Sequence, residues 1–202
     1  MLNFLRFVLI ALVVHYVTAD IVESRTGMKF PEKHKKSALS RLGVRSKGPI
    51  KVYAVAEYSD GTYMLKMSMG VAAPKMVKAL SDALGPRCSD TEAIQKFEDL
   101  LMTGLPNGAT KGSTLVFAAG RGKLTLLVDD KKIGAVHSKI LPEAFASIYS
   151  DKNAVCAMHH VAGSTAETAD GFLSTPYFAV IQGGVLGLLL GYGVSKTLRA
   201  AV

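Results

Sequence analysis

Apolar and polar positions first alternate regularly in the chain at residues 50–58. Residues 50–58 (IKVYAVAEY) alternate in this way and are rich in β-branched and aromatic side chains, which predicts a strand. Ser59-Asp60-Gly61 then supplies a turn into a second apolar run at residues 63–69. These two runs predict a β-hairpin.

After Pro74 the apolar residues are spaced as on one face of a helix, and proline is favoured in the first turn of a helix. Gly85-Pro86 would end this first helix, and Ser89-Asp90 would cap a second helix over residues 91–101. The apolar face of the first helix comprises Met76, Val77, Leu80, Ala83 and Leu84.

Strand-like patterns return at residues 113–118 and 123–129, on either side of Gly120-Arg121-Gly122, and predict a second hairpin. A short strand at 133–136 and a helix at 141–149 follow. Leu141, Phe145 and Ile148 would form the apolar face of that last helix. The order β, β, α, α, β, β, β, α indicates an α+β fold, with the helices laid on one face of an antiparallel sheet.

The N-terminal segment 1–19 has the layout of a signal peptide. Arg6 precedes an apolar run at 7–14, and small residues at positions 18 and 19 predict cleavage after Ala19. The run is short for a membrane span, although a retained signal anchor is the alternative. The chain is therefore expected to enter the secretory pathway or to be plastid-directed, with its domain over residues 20–160.

The C-terminal segment 176–194 carries no charge and is followed by a short basic tail at 195–202. Its length suits one membrane span, and its glycines at every fourth position suit close helix packing. The alternative is an apolar tail that packs on the domain. Residues 161–175 are rich in Ser, Thr, Ala and Gly and predict a linker.

Charge and composition narrow the classes of partner. The chain has 202 residues, 49% of them hydrophobic, and a net charge of +8. Its tightest basic cluster, Lys33 to Lys36, lacks the interleaved aromatic residues of a nucleic-acid surface, so no nucleic-acid partner is expected. A solvated basic face is favoured there over a phosphate-binding patch.

The two cysteines, Cys88 and Cys156, do not form a CxxC motif, but they could pair with each other in an oxidising compartment. His159-His160 lacks further ligands at metal-site spacing, and Gly120-Arg121-Gly122 lacks the following helix of a phosphate loop. The sequence therefore predicts neither a metal site nor a cofactor.

Three ordered motifs resemble the chalcone isomerase superfamily. They are a TGxxFP opening within residues 22–31, a GxR followed by KVY within 42–58, and an LxxAFxxIY ending within 112–155. The resemblance spans about the whole domain. It implies an open-faced β-sandwich, in which a curved antiparallel sheet carries helices layered on one face and a ligand lies between them.

That superfamily includes isomerases, fatty-acid-binding proteins and inactive members, so the fold leaves the function open. The isomerase pattern would place Arg45, Lys66 and Ser147 in catalytic roles. Its ketone-polarising groups are replaced here by Tyr53, Met76 and Ala83, which argues against catalysis.

The fatty-acid-binding branch resembles this chain more closely at Arg45 and Tyr53. A guanidinium and a phenol together suit a carboxylate, and the methionines Met64, Met67, Met69 and Met76 would line an adaptable apolar cleft. The resemblance thus implies non-catalytic binding of a fatty acid or similar carboxylate. An isomerase of altered specificity and a membrane-tethered interaction protein are the alternatives.

Both ends of the chain can be tested together on protein isolated from its host. N-terminal sequencing should begin at Asp20, because cleavage is expected after Ala19. Alkaline carbonate should leave the protein in the membrane pellet, because an uncharged span resists extraction. A chain that begins at Met1, or one released by carbonate, would contradict the corresponding half of this prediction.

Overall fold

The computed structural model describes residues 20–161. The predicted signal segment, most of the linker and the segment 176–194 lie outside this range. Within it, none of the helices has both the length and the apolar character that crossing a membrane requires.

Ten strands and three helices make up the described part of the chain. The strands are β1 (Asp20–Val22), β2 (Lys29–Pro31), β3 (Lys33–His34), β4 (Ser37–Lys47), β5 (Ile50–Tyr58), β6 (Thr62–Met67), β7 (Thr114–Gly120), β8 (Lys123–Val128), β9 (Lys131–His137) and β10 (Met158–His160). The helices are α1 (Ala73–Leu84), α2 (Thr91–Gly104) and α3 (Leu141–Ser150).

The main sheet is antiparallel throughout and follows the order β10-β4-β5-β6-β7-β8-β9. Strand β3 pairs with β4, while β1 and β2 form a separate hairpin. The sheet curls into a half-barrel and is accompanied by the three helices, which confirms the predicted α+β class.

The helices and one face of the sheet enclose the larger core. Its centre is an aromatic cluster around Phe145 of α3, whose ring centroid lies 4.5 Å from that of Phe117. Phe97, Tyr63 and Tyr149 complete the cluster. Helix α3 is thus fixed to the sheet by Phe145, which is fully buried.

The opposite face of the sheet carries a second core, which the sequence did not predict. Phe30 of the β1–β2 hairpin is fully buried there, together with Tyr58 and Met64 from the sheet. The Tyr58 hydroxyl also donates to the Pro31 carbonyl at 3.1 Å. The N-terminal hairpin therefore covers part of the face that lacks helices.

Strand β4 was also missed, although it has 11 residues. Its sequence, SALSRLGVRSK, buries Leu42 and Val44 in the second core but places Arg41, Gly43 and Arg45 on the helix side. Serine, glycine and arginine are weak strand formers, so the alternating pattern of a strand was not evident in this sequence. Pairing with β5 outweighs that local weakness.

A side-chain network joins the start of α2 to the start of α3. The Asp90 carboxylate accepts from the Ala93 amide at 3.0 Å and from the Ser138 hydroxyl at 2.7 Å. The Ser138 hydroxyl bond and the Ala93 amide bond hold the pKa of Asp90 below its usual value. Capping of α2 is thus coupled to the β9–α3 connection.

Replacing Phe145 by alanine should reduce the free energy of unfolding by about 3–5 kcal/mol, because the cavity would lie at the centre of the aromatic cluster. Urea unfolding of the purified protein measures this. Ile140→Ala is the matched control on an exposed side chain and should change stability by about 0.5 kcal/mol or less. Equal losses in the two variants would contradict the central role of Phe145.

The Asp90 network predicts a pH dependence of stability. Because the folded pKa of Asp90 is lowered, its contribution is complete above the unfolded pKa of about 3.9 and is lost as the pH falls through the folded value. Wild type should therefore lose more stability on acidification than Asp90→Asn, and Ser138→Ala should lie between them. Thermal melts from neutral to acidic pH test this, and parallel curves for wild type and Asp90→Asn would refute it.

Candidate functional site

Arg45 and Tyr53 are direct partners across strands β4 and β5. Paired residues project from the same face of a sheet, and both lie on the face that carries the helices. Met67 is the partner of Tyr53 on β6 and continues the row. The structure thus brings together the two residues that the resemblance implied as ligand contacts.

The Tyr53 hydroxyl forms a hydrogen-bonded pair with the hydroxyl of Tyr149 on α3. The two oxygens are 3.3 Å apart, and the Tyr149 ring stacks on Tyr63 with a centroid distance of 5.2 Å. Only 6% of Tyr53 is exposed. Tyr149 follows Phe145 by one helical turn, so the aromatic cluster sets the position of its hydroxyl.

Burial determines the protonation of this pair. It raises the pKa of Tyr53 to about 12, against the opposing effects of the Tyr149 hydrogen bond and the Arg45 charge. Burial also raises the pKa of Tyr149 well above its usual value. Both phenols are therefore neutral at physiological pH and retain their protons for donation.

Within residues 20–161, the hydroxyl pair has one more proton than it has acceptors. Either Tyr53 or Tyr149 can donate to the other, and the remaining O–H then has no acceptor among residues 20–161. A buried donor in this state is costly unless a water or a ligand accepts from it. Among the described residues, the pair therefore offers one hydrogen-bond donor to a ligand on the sheet face of Arg45.

Arg45 itself is exposed at the edge of this arrangement. Its Nη1 donates to the carbonyl of Val155, in the segment that follows α3. Arg87 fixes the start of that segment through a bidentate ion pair with Asp151, at 2.8 and 3.0 Å, and through a bond to the Asn153 carbonyl. The same segment then approaches Gly43, where a Cβ would lie 2.5 Å from the Met158 sulfur.

The two cysteines are free thiols in this structure, so the disulfide considered from the sequence is not formed. The Cys88 Sγ lies 3.7 Å from the Asp90 carbonyl oxygen, whereas the Cys156 Sγ lies 4.0 Å from the Met158 sulfur. Burial raises the pKa of Cys156 to about 11, although Arg45 and Arg25 act in the opposite direction. Cys156 is therefore a protonated thiol at neutral pH.

The residues assigned to the isomerase pattern are not brought together. Lys66 pairs with Ala54 and so lies on the face opposite Arg45, where its Nζ donates to the Lys29 carbonyl at 2.6 Å and lies over the Phe30 ring. The Ser147 hydroxyl donates to the Glu143 carbonyl within its own helix at 2.9 Å.

The four methionines that were expected to line one cleft are also divided. Met67 and Met76 belong to the helix–sheet core, Met64 lies in the second core, and Met69 is exposed. Met64 and Met67 are an odd number of positions apart on β6. Successive side chains of a strand point to opposite faces of the sheet, so these two methionines lie in different cores.

Sequence reasoning missed Tyr149 and a polar group on the same face. Arg41 and Glu57 are paired across β4 and β5 and form an ion pair, and the Tyr63 hydroxyl donates to Glu57 at 3.2 Å. The spacing of Tyr149, four residues after Phe145, could have placed it on the buried face of α3. The Arg41–Glu57 pair required the register of β4, which the sequence did not reveal.

A cleft of about 450 Å³ lies elsewhere on the molecule. It is formed by the end of α2, the following loop and the β8–β9 turn, and Thr110, Asp129 and Lys131 are among its lining residues. None of the residues predicted to bind a ligand lines it.

Comparisons with protein-family models and with curated proteins find no match. Among solved structures, the chain is similar to the fatty-acid binding protein AtFAP1 of Arabidopsis thaliana, with a TM-score of 0.61 and 18% sequence identity. The similarity covers 68% of this chain and 92% of that protein. At this identity the likeness establishes the fold alone, which is a curled antiparallel sheet with three helices.

Proposed function

We propose that the domain binds a fatty acid or a similar small carboxylate between the sheet and the helices, without catalysing a reaction. The observation that carries the proposal is the buried Tyr53–Tyr149 hydroxyl pair on the sheet face of Arg45, because one of its two protons has no acceptor among residues 20–161. A carboxylate oxygen would accept that proton, while the guanidinium would neutralise the charge. Both phenols are neutral, so they would not repel an anion.

The row Arg45, Tyr53 and Met67 matches the polarity of an amphipathic ligand. Along these three adjacent strands the side chains change from an exposed cation to a buried phenol and then to a fully buried thioether. A fatty acid bound along this row would place its head group at Arg45 and its chain among Met67 and Met76. Flexible methionines can move to admit such a chain.

In the structure, the Arg45 guanidinium is occupied by a backbone carbonyl, which the ligand head group would have to displace. Its bond to the Val155 carbonyl joins a cation to a neutral acceptor. A carboxylate is a stronger acceptor and could engage the guanidinium through both oxygens. Ligand binding would therefore release Val155, while Arg87 and Asp151 would keep the preceding residues in place.

The fold supports this proposal, because the similar protein AtFAP1 is a fatty-acid binding protein. The isomerase alternative gains no support, since Lys66 and Arg45 lie on opposite faces of the sheet. Delivery by residues 1–19 to the secretory pathway or a plastid, and tethering through 176–194, are proposals that rest on the sequence alone.

Palmitate is a suitable probe of the site. Full-length Arg45→Ala should bind it about 10- to 100-fold more weakly than wild type, because hydrogen bonds to a charged group contribute about 1.5–3 kcal/mol. Tyr53→Phe should weaken binding about fivefold, because it removes one neutral donor. Native mass spectrometry of the protein titrated with palmitate measures both effects.

Two controls separate carboxylate recognition from general damage. Arg121→Asn removes the same charge from the β7–β8 turn, where φ is +51° and asparagine is tolerated, and should bind palmitate like wild type. Methyl palmitate keeps a carbonyl acceptor but lacks the negative charge, so Arg45→Ala should weaken its binding less than it weakens that of palmitate. Unchanged palmitate affinity in Arg45→Ala would reject the proposed site.

A further inference from the structure

The tip of the β4–β5 hairpin presents an apolar side chain to solvent. Lys47 pairs with Ile50 across a two-residue loop, in which Gly48 has a φ of +59°. Ile50 is 53% exposed, the largest value among the large apolar side chains of residues 20–161. Packing within the domain does not explain an isoleucine at this position.

Cations surround this isoleucine. Lys47 and Lys51 flank the loop, and Lys51 donates to the carbonyl of Arg25 in the β1–β2 turn. Arg25 in turn donates to the Ser46 hydroxyl at 3.4 Å. The β1–β2 turn therefore adds a third exposed cation beside the hairpin.

Acidic side chains do not offset these charges in the segments that form the tip. The sequence contains no Asp or Glu between Glu32 and Glu57. Glu23, in the β1–β2 turn, is buried, and its carboxylate accepts from the amide and hydroxyl of Thr26 at 2.7 and 2.6 Å. The exposed side chains of residues 47–51 and Arg25, here called the basic tip, thus carry three positive charges and no negative charge.

We infer that the basic tip docks on an anionic lipid bilayer, with Ile50 inserted among the head groups. Exposed cations beside an apolar side chain are the combination that interfacial membrane binding uses. A single projecting isoleucine is too small for a stable protein interface, which buries about 1,200 Å² or more. A bilayer needs no complementary pocket.

Docking would bring the candidate carboxylate site close to the membrane. Arg45 lies two residues before Lys47 on the same strand. The contacts of Lys47, Ile50 and Lys51 with lipid do not require a ligand at Arg45, so the basic tip can be tested independently of the proposed function.

The chain contains no tryptophan, which permits a direct test. In full-length Ile50→Trp, the single tryptophan should shift its emission to the blue and be quenched by brominated lipid on vesicles of phosphatidylcholine with phosphatidylserine. Phosphatidylcholine vesicles alone should have no such effect. Binding through another segment would not place the tryptophan at position 50 in lipid.

Two further variants complete the experiment. Ile140→Trp reports the opposite end of the sheet, where the side chain is 42% exposed, and its emission should not change. Lys47→Gln in the Ile50→Trp background should weaken vesicle binding about fivefold, because each cation near an anionic surface contributes about that factor. The Lys47 side chain makes no hydrogen bond or ion pair with residues 20–161, and the backbone pairing with Ile50 is unchanged in this variant.

Three results would overturn the inference. They are an unchanged emission from position 50 on phosphatidylserine vesicles, an equal shift from position 140, and an equal response on phosphatidylcholine alone.

Discussion

The packing of Phe145 against the sheet is the contact on which the rest of the site depends. Its ring contacts Phe117 on β7 and extends the cluster to Phe97 on α2. This fixes the rotation and position of α3, because an aromatic ring in a close-packed core has few alternative placements. One turn later, Tyr149 is held against Tyr63 and meets the hydroxyl of Tyr53.

The end of α3 has a second consequence for the site. The chain that leaves this helix is fixed by Arg87 and then passes Arg45, which donates to the Val155 carbonyl. The guanidinium is thus held beside the phenols by a bond that an incoming carboxylate could replace. Preorganised donors of this kind reduce the cost of binding, because fewer side chains must be ordered.

The folded structure shows where the basic residues of the sequence lie and what they contact. Lys33 and His34 form the short strand β3, and His34 packs against Tyr58 with a centroid distance of 5.5 Å. The densest basic cluster in the sequence is thus partly a structural feature of the second core. The basic tip, which is less evident in the sequence, presents its cations beside an exposed isoleucine.

The sequence by itself determined the fold class, the three helices and strands β5 to β9, because hairpin periods, helix caps and turn residues are local signals. It also singled out Arg45 and Tyr53, through the ordered motifs of a known superfamily. Only the tertiary structure decided that Lys66 faces away from Arg45, that β4 pairs with β5 in the main sheet, and that Tyr149 completes the phenol pair. Strand register and the packing of α3 decide these points, and both depend on contacts between residues far apart in the chain.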